Sequence, residues 1–236
     1  MRLRELHGWN LSVAEGRGLQ ERLAGQVRIR PLPPDLRLVA GADVAFSLEA
    51  RVFFASVLVL ELPSLQVVEE VSARHRPTFP YVPGMLTFRE GPVLLRAFAK
   101  LKHTPDAVLF DGQGIAHPRR LGLASHLGLW LNLPTIGCAK SRLIGEHAEP
   151  GRRPGAAQDL RDGGERIGLV LRTRAGVKPI YLSPGHLSDV DSAARLVLRC
   201  LTRYRLPEPT RLADIRVAQV KRAFLASRQR NEQKKS

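Results

Sequence analysis

The stretch Leu38-Val39-Ala40-Gly41-Ala42-Asp43-Val44-Ala45-Phe46 decides the fold, because it is an apolar run with one carboxylate in its middle. Read as a strand, it points Val39, Gly41, Asp43 and Ala45 to one face and Ala42, Val44 and Phe46 to the other. Aspartate is disfavoured inside strands. An ionised acid among apolar neighbours costs several kcal/mol unless something solvates it. Two more acids share this setting: Glu90 in Phe88-Arg89-Glu90-Gly91-Pro92, and Asp111, which ends the apolar run Ala107-Val108-Leu109-Phe110. Three such acids in a chain of net charge +15 suggest a metal site that acts on a polyanion.

The flanking segments set that strand in a sheet. Runs at 51–60 and 66–72 follow it closely, so the three strands form an antiparallel meander. Before them, Ser12-Val13-Ala14-Glu15 has the capping-box pattern, which predicts a helix from about residue 13 to 28. After them come a helix opening at Glu90, a buried strand at 107–111, a helix at 119–131 and a buried strand at 135–138. The Gly-, Arg- and Asp-rich stretch 151–165 reads as a mobile loop. Strands at 167–173 and 179–182 follow, then a helix behind the capping pattern Ser188-Asp189-Val190-Asp191 and another at about 210–226. The expected fold is α/β: one mixed sheet with helices on both faces, a single domain over residues 1–226 and a basic flexible tail at 227–236.

Composition narrows the partners. The pI near 11.0 favours nucleic acid. A membrane role is disfavoured, since no apolar run approaches the roughly 20 residues of a spanning helix. The N-terminus, Met1 to Asn10, has no apolar signal region. Cys138 and Cys200 lie in apolar segments without metal-ligand neighbours, so they read as core residues in a reducing, cytoplasmic setting. No heptads or spare apolar stripe are visible, and a monomer is expected.

The acids carry the chemistry. Pairs about 4 Å apart repel by roughly 4 kcal/mol at an effective dielectric of 20, so convergence needs cations or raised pKa values. Oxygen ligands favour Mg²⁺ or Mn²⁺ over zinc. A bland alternative for Glu90 is a helix-dipole partner. Gly112-Gln113-Gly114 after a strand invites a dinucleotide-binding reading, but His117 stands where the third glycine belongs.

Several blocks together resemble the endonuclease V family: Gly41 to Phe46, Pro80 to Pro92, Phe110 to Leu129, Pro134 to Leu143, Ser183 to Ala193 and Leu206 to Asp214. The resemblance implies a ribonuclease-H-like fold and Mg²⁺-dependent cleavage, with Mn²⁺ as substitute. The implied substrate is damaged, inosine-containing DNA, double- or single-stranded, with RNA as the alternative. It implies hydrolysis at the second phosphodiester 3′ to the lesion, leaving 3′-hydroxyl and 5′-phosphate ends. It makes Asp43, Glu90 and Asp111 the metal ligands, with Asp214 and Lys140 as further catalytic residues. Pro80-Tyr81-Val82-Pro83 becomes a wedge, which its two prolines would stiffen. Gly84, Leu86, Gly112, His117, Gly122, Gly137 and Leu143 become the pocket for a flipped base, the glycines allowing close backbone approach. Outside those residues, His186 at a helix entrance could hold phosphate or simply be capped. Arg119, Arg120, Lys221, Arg222, Arg228, Arg230, Lys234 and Lys235 are expected to follow backbone phosphates.

Overall fold

A computed structural model describes residues 1–233. One eight-stranded sheet runs through it in the order β3-β2-β1-β4-β5-β8-β7-β6. The meander is present: β1 (Leu38–Ser47), β2 (Val52–Glu61) and β3 (Gln66–His75) pair antiparallel. Next to β1, β4 (Ala107–Phe110) and β5 (Thr135–Ala139) run parallel to it. β6 (Ala157–Asp162), β7 (Glu165–Leu171) and β8 (Ile180–Pro184) extend the sheet as an antiparallel wing.

Helices cover both faces. Against one lie α2 (Leu86–Phe98) and α3 (Leu123–Leu131), enclosing Ala40, Ala42, Val57, Val108 and Phe110. Against the other lie α4 (Val190–Arg199) and α5 (Glu208–Gln233), enclosing Val39, Leu58, Leu60 and Leu109. Residues 39 and 40 thus serve opposite cores, as strand alternation requires. The first helix, α1 (Val13–Ala24), packs Leu19 and Leu23 against Phe79, Met85, Phe88 and Leu121. The fold is ribonuclease-H-like.

Several boundaries move for physical reasons. α1 has the expected capping box but stops at Gly25, before the prolines. α2 begins at Leu86, so Glu90 lies inside the helix and is not its opening residue. Met85 makes no side-chain cap and Pro92 sits within the helix, which hid its true start. α3 begins at Leu123. Part of the expected loop at 151–165 is the edge strand β6, in which Leu160 alone is fully buried and the others are exposed or half-buried. Asp189, not Ser188, caps α4, accepting from the Ser192 N–H. α5 continues helical through Gln233 where a tail was expected from residue 227. Lys234 and Lys235 lie outside the described residues.

Candidate active site

Parallel pairing of β1 with β4 sets Ala42 beside Phe110, so the next residues, Asp43 and Asp111, emerge at matched levels on adjacent strands. Beyond β5, Lys140 bonds the Asp111 carboxylate through Nζ and stands 3.9 Å from Asp214 Oδ1. Asp214 comes from α5 and is close enough to Asp43 to help raise its proton affinity. α5 reaches this position because β1 has a glycine below it. A Cβ on Gly41 would fall inside the Pro209 backbone. Glu90, on α2, is close enough for the charges of Asp43 and Asp111 to act on it.

The electrostatics are those of crowded acids. Burial, followed by the Asp111 charge, raises Asp43 to about 7, against the opposing pull of Lys140. Burial, then Asp43 and Asp111, raises Glu90 to about 8. Burial would lower Lys140, but its bond to Asp111 and the charges around it raise it. Among the described residues, no three His, Cys, Asp or Glu side chains converge tightly enough to hold one ion as they stand. The ammonium of Lys140 is a cation already among them. The donor set nevertheless fits a hard divalent ion: four carboxylates, oxygen atoms only, two of them with raised proton affinity that a cation would relieve.

A cavity of about 340 Å³ opens beside the acids, within the roughly 300–1,000 Å³ range of ligand pockets. Asp111 and Lys140 belong to its wall as well as to the acid cluster. Gly84, Leu86, Gly112, His117, Gly122 and Leu143 all line it, as do Tyr81, Val82 and Pro83. Pro80 and Gly137 are not on its wall. Gly137 lies beneath it, where a Cβ would strike the backbone of the 112–114 loop. Gly122 serves a similar purpose, pressed against the Gln113 and Gly114 carbonyls. Close packing of protein on protein explains these two glycines.

Tyr81 is 74% exposed, so it does not pack on the core. Buried Phe79 and Met85 anchor the chain on either side of it. His117 is buried, and its tautomer follows from its partners: Nε2 donates to the Gly84 carbonyl and Nδ1 accepts from the Arg119 N–H. Burial, only partly offset by the Gly84 bond, lowers it to about 4. It therefore shapes the cavity as a neutral ring with both nitrogens engaged.

Other expected contacts change. His186 is buried, with Nδ1 accepting from the Arg28 N–H, and offers no open phosphate site. Arg119 is turned inward to Gln20 and Gly84. Arg120 pairs with Asp162 at 2.7 Å and Glu165 at 2.9 Å. Lys221 donates to the Phe46 carbonyl and Arg228 pairs with Glu232, whereas Arg222 and Arg230 are exposed on α5. Gln20, Thr87, Ser141 and Arg142 also line the cavity; the last three lie within the family-resembling blocks, and Gln20 lies outside them all.

Among the described residues, no helix is long and apolar enough to cross a membrane. The endonuclease V family profile matches residues 21–215. The endonuclease V of Alkalilimnicola ehrlichii is 51% identical over 222 residues, covering 94% of this chain and 97% of its own. The crystal structure of the Bacillus subtilis endonuclease V superposes with a TM-score of 0.92 at 31% identity, covering 96% of this chain and 100% of that one. A Ciona intestinalis endonuclease V was crystallised with a 24mer DNA containing an inosine followed by a ribo-adenosine. It superposes with a TM-score of 0.77 at 28% identity, covering 90% of this chain and 98% of that one. With a matched profile over most of its length and relatives at half identity, this chain belongs to the endonuclease V family of DNA-repair nucleases.

Proposed function

We propose that this chain nicks strands at deaminated purines, hydrolysing the second phosphodiester 3′ to a deoxyinosine and leaving 3′-hydroxyl and 5′-phosphate ends. One observation carries the reading: Asp111 and Lys140 stand in both the acid cluster and the wall of the cavity. A base held in that cavity would bring its own strand past the acids. Asp43, Glu90 and Asp111 would hold Mg²⁺, with Asp214 assisting. When bound, the ion supplies a Lewis acid that eases ionisation of the attacking water and takes up charge on the phosphate.

The protein's own groups do the rest. Exposed Tyr81 enters the stack where the base leaves, on a loop that Pro80 and Pro83 stiffen. Lys140 offers its ammonium to the phosphate while keeping Asp111 oriented. Hypoxanthine presents an O6 acceptor and an N1–H donor, and adenine presents the reverse, so fixed backbone groups can reject adenine by leaving polar atoms unpaired.

End-labelled duplexes that differ by one deoxyinosine test this, with Mg²⁺, EDTA and an Asp43→Ala control. The expected outcome is one metal-dependent nick at the second 3′ bond, absent with Asp43→Ala. Cutting of both duplexes alike, or full activity of Asp43→Ala, would overturn it. A second reading is cleavage of inosine-containing RNA. The ribo-adenosine in the strand bound by the Ciona intestinalis relative favours it. Rates on matched strands differing only in the 2′-hydroxyl after the inosine separate the two.

A further inference from the structure

The Gly84 carbonyl, at the end of the Tyr81 loop, accepts from three side chains at once. Gln20 Nε2 donates to it at 3.0 Å, His117 Nε2 at 2.9 Å and Arg119 Nη2 at 3.0 Å. Gly84 itself has φ +74°, a backbone shape that side chains resist, so its orientation is fixed by residue type and by contacts together. Gln20 joins the group. Its Oε1 accepts from Arg119 Nε at 2.7 Å, and its Nε2 makes a longer bond, 3.4 Å, to the Leu121 carbonyl. At 1% exposure, it is a buried amide whose polar atoms are all spent on the loop and on the approach to α3. Its helix, α1, lies outside the sheet and reaches the loop through Leu19 and Leu23, with Gly16 leaving room for Met85, which an added Cβ would strike.

We propose that Gln20 is a positioning residue for strand separation. It holds Arg119 and Gly84 so that the Tyr81 loop meets a duplex already in its inserting pose, and α1 thereby becomes part of the lesion-recognition apparatus. The idea rests on the proposed function above, because it takes Tyr81 as the wedge. A buried amide bonded to three partners removes loop freedom that would otherwise be lost when the strand is engaged. The effect belongs to duplexes. In a single strand the base has no pair to leave, and a wedge has little to do.

The test compares nicking of deoxyinosine in duplex and single-stranded DNA by Gln20→Met, which keeps size and withdraws the polar atoms. We expect the duplex rate to fall about tenfold further than the single-strand rate, since a misplaced positioning element can cost up to about a hundredfold. In a Tyr81→Ala background the same substitution should add little, because the two act through one loop. Gln20→Glu keeps the length and the bond to Arg119 while withdrawing both N–H donors. It is the second variant should Gln20→Met not fold, and the same pair of rates decides. Equal loss on both strands, or no loss on either, overturns the proposal. If the unsubstituted chain nicks neither strand, the proposed function falls and this inference falls with it.

Discussion

Asp43 lies within β1 and Asp111 follows β4, on neighbouring parallel strands whose preceding residues, Ala42 and Phe110, are fully buried, whereas Tyr81 rides an exposed loop held mainly at the Gly84 carbonyl. Two of the four acids, Asp43 and Asp111, are thus placed by the sheet, where backbone pairing fixes register, and Glu90 and Asp214 reach them from α2 and α5. Much of the cavity wall and the proposed wedge are built on loops between elements, where side-chain bonds must do the fixing. Strand register places an acid without help from neighbours. A loop needs an amide, an imidazole and a guanidinium to hold one glycine. Reaction chemistry should therefore be all-or-none with respect to single acids, and recognition should be graded with respect to loop contacts.

The largest expected effect is that of Asp43→Ala. Its nicking rate should fall about a hundredfold to a thousandfold while binding of inosine strands persists, in line with about 10²–10³ for loss of one preorganised electrostatic group. Loss of binding together with rate would break the division between the two regions. Next is Gly41→Ala. The added methyl meets the Pro209 backbone, so α5 and Asp214 must move. A shift near 1 Å can cost about a hundredfold, and it should lower kcat while leaving KM unchanged. An unchanged kcat would show that the placement of Asp214 is not critical.

The two regions should also answer pH in opposite directions. Asp43 and Glu90 sit at about 7 and about 8 in the folded protein against ordinary values of 3.8 and 4.5. Between those limits the folded state binds more protons than the unfolded chain, so stability falls as pH rises. His117 and His126, in the segment that carries the cavity, are lowered from 6.5 to about 4 and about 3, chiefly by burial. There the unfolded chain binds more protons, and stability rises with pH up to 6.5. Above pH 6.5 the histidine slope fades within about one unit and the acid slope is the larger. With EDTA present, Tm should drop between pH 6.5 and 8, by about 2–4 °C for each kcal/mol lost. Asp43→Asn should flatten that slope, and a rising Tm over the interval would contradict the assignment. The smallest effect is expected from Arg120→Ala, which breaks partly exposed ion pairs to Asp162 and Glu165 worth about 0–1 kcal/mol. Because Arg120 is already paired, the salt dependence of DNA binding should not change. A shallower slope would return it to the phosphate-contacting set.

How much could be read in advance follows the same division. Asp43 stood out because strand alternation and apolar neighbours made a lone carboxylate conspicuous, and the register then set it beside Asp111. The meander and the central parallel strands were legible for the same reason. β6 was not: as an edge strand with Leu160 alone fully buried, its residues carry almost no period-two signal. Gln20 left no trace either. A buried polar residue on a helix is marked by its partners, and these lie 64 to 101 residues away along the chain. Arg119 and Arg120 looked like free cations because nothing local shows that Gly84, Gln20 and the β6–β7 hairpin would claim them.

The contact between Gly41 and Pro209 has one more consequence, in the order of synthesis. The ribosome delivers Asp43, Glu90 and Asp111 early, but Asp214 only after β5 to β8 and α4 have been made. Until α5 lies down across β1, the cluster lacks its fourth carboxylate and the sheet keeps an open groove over Gly41. In a partly made chain the proposed active site is thus still incomplete, and the last helix to be synthesised completes it.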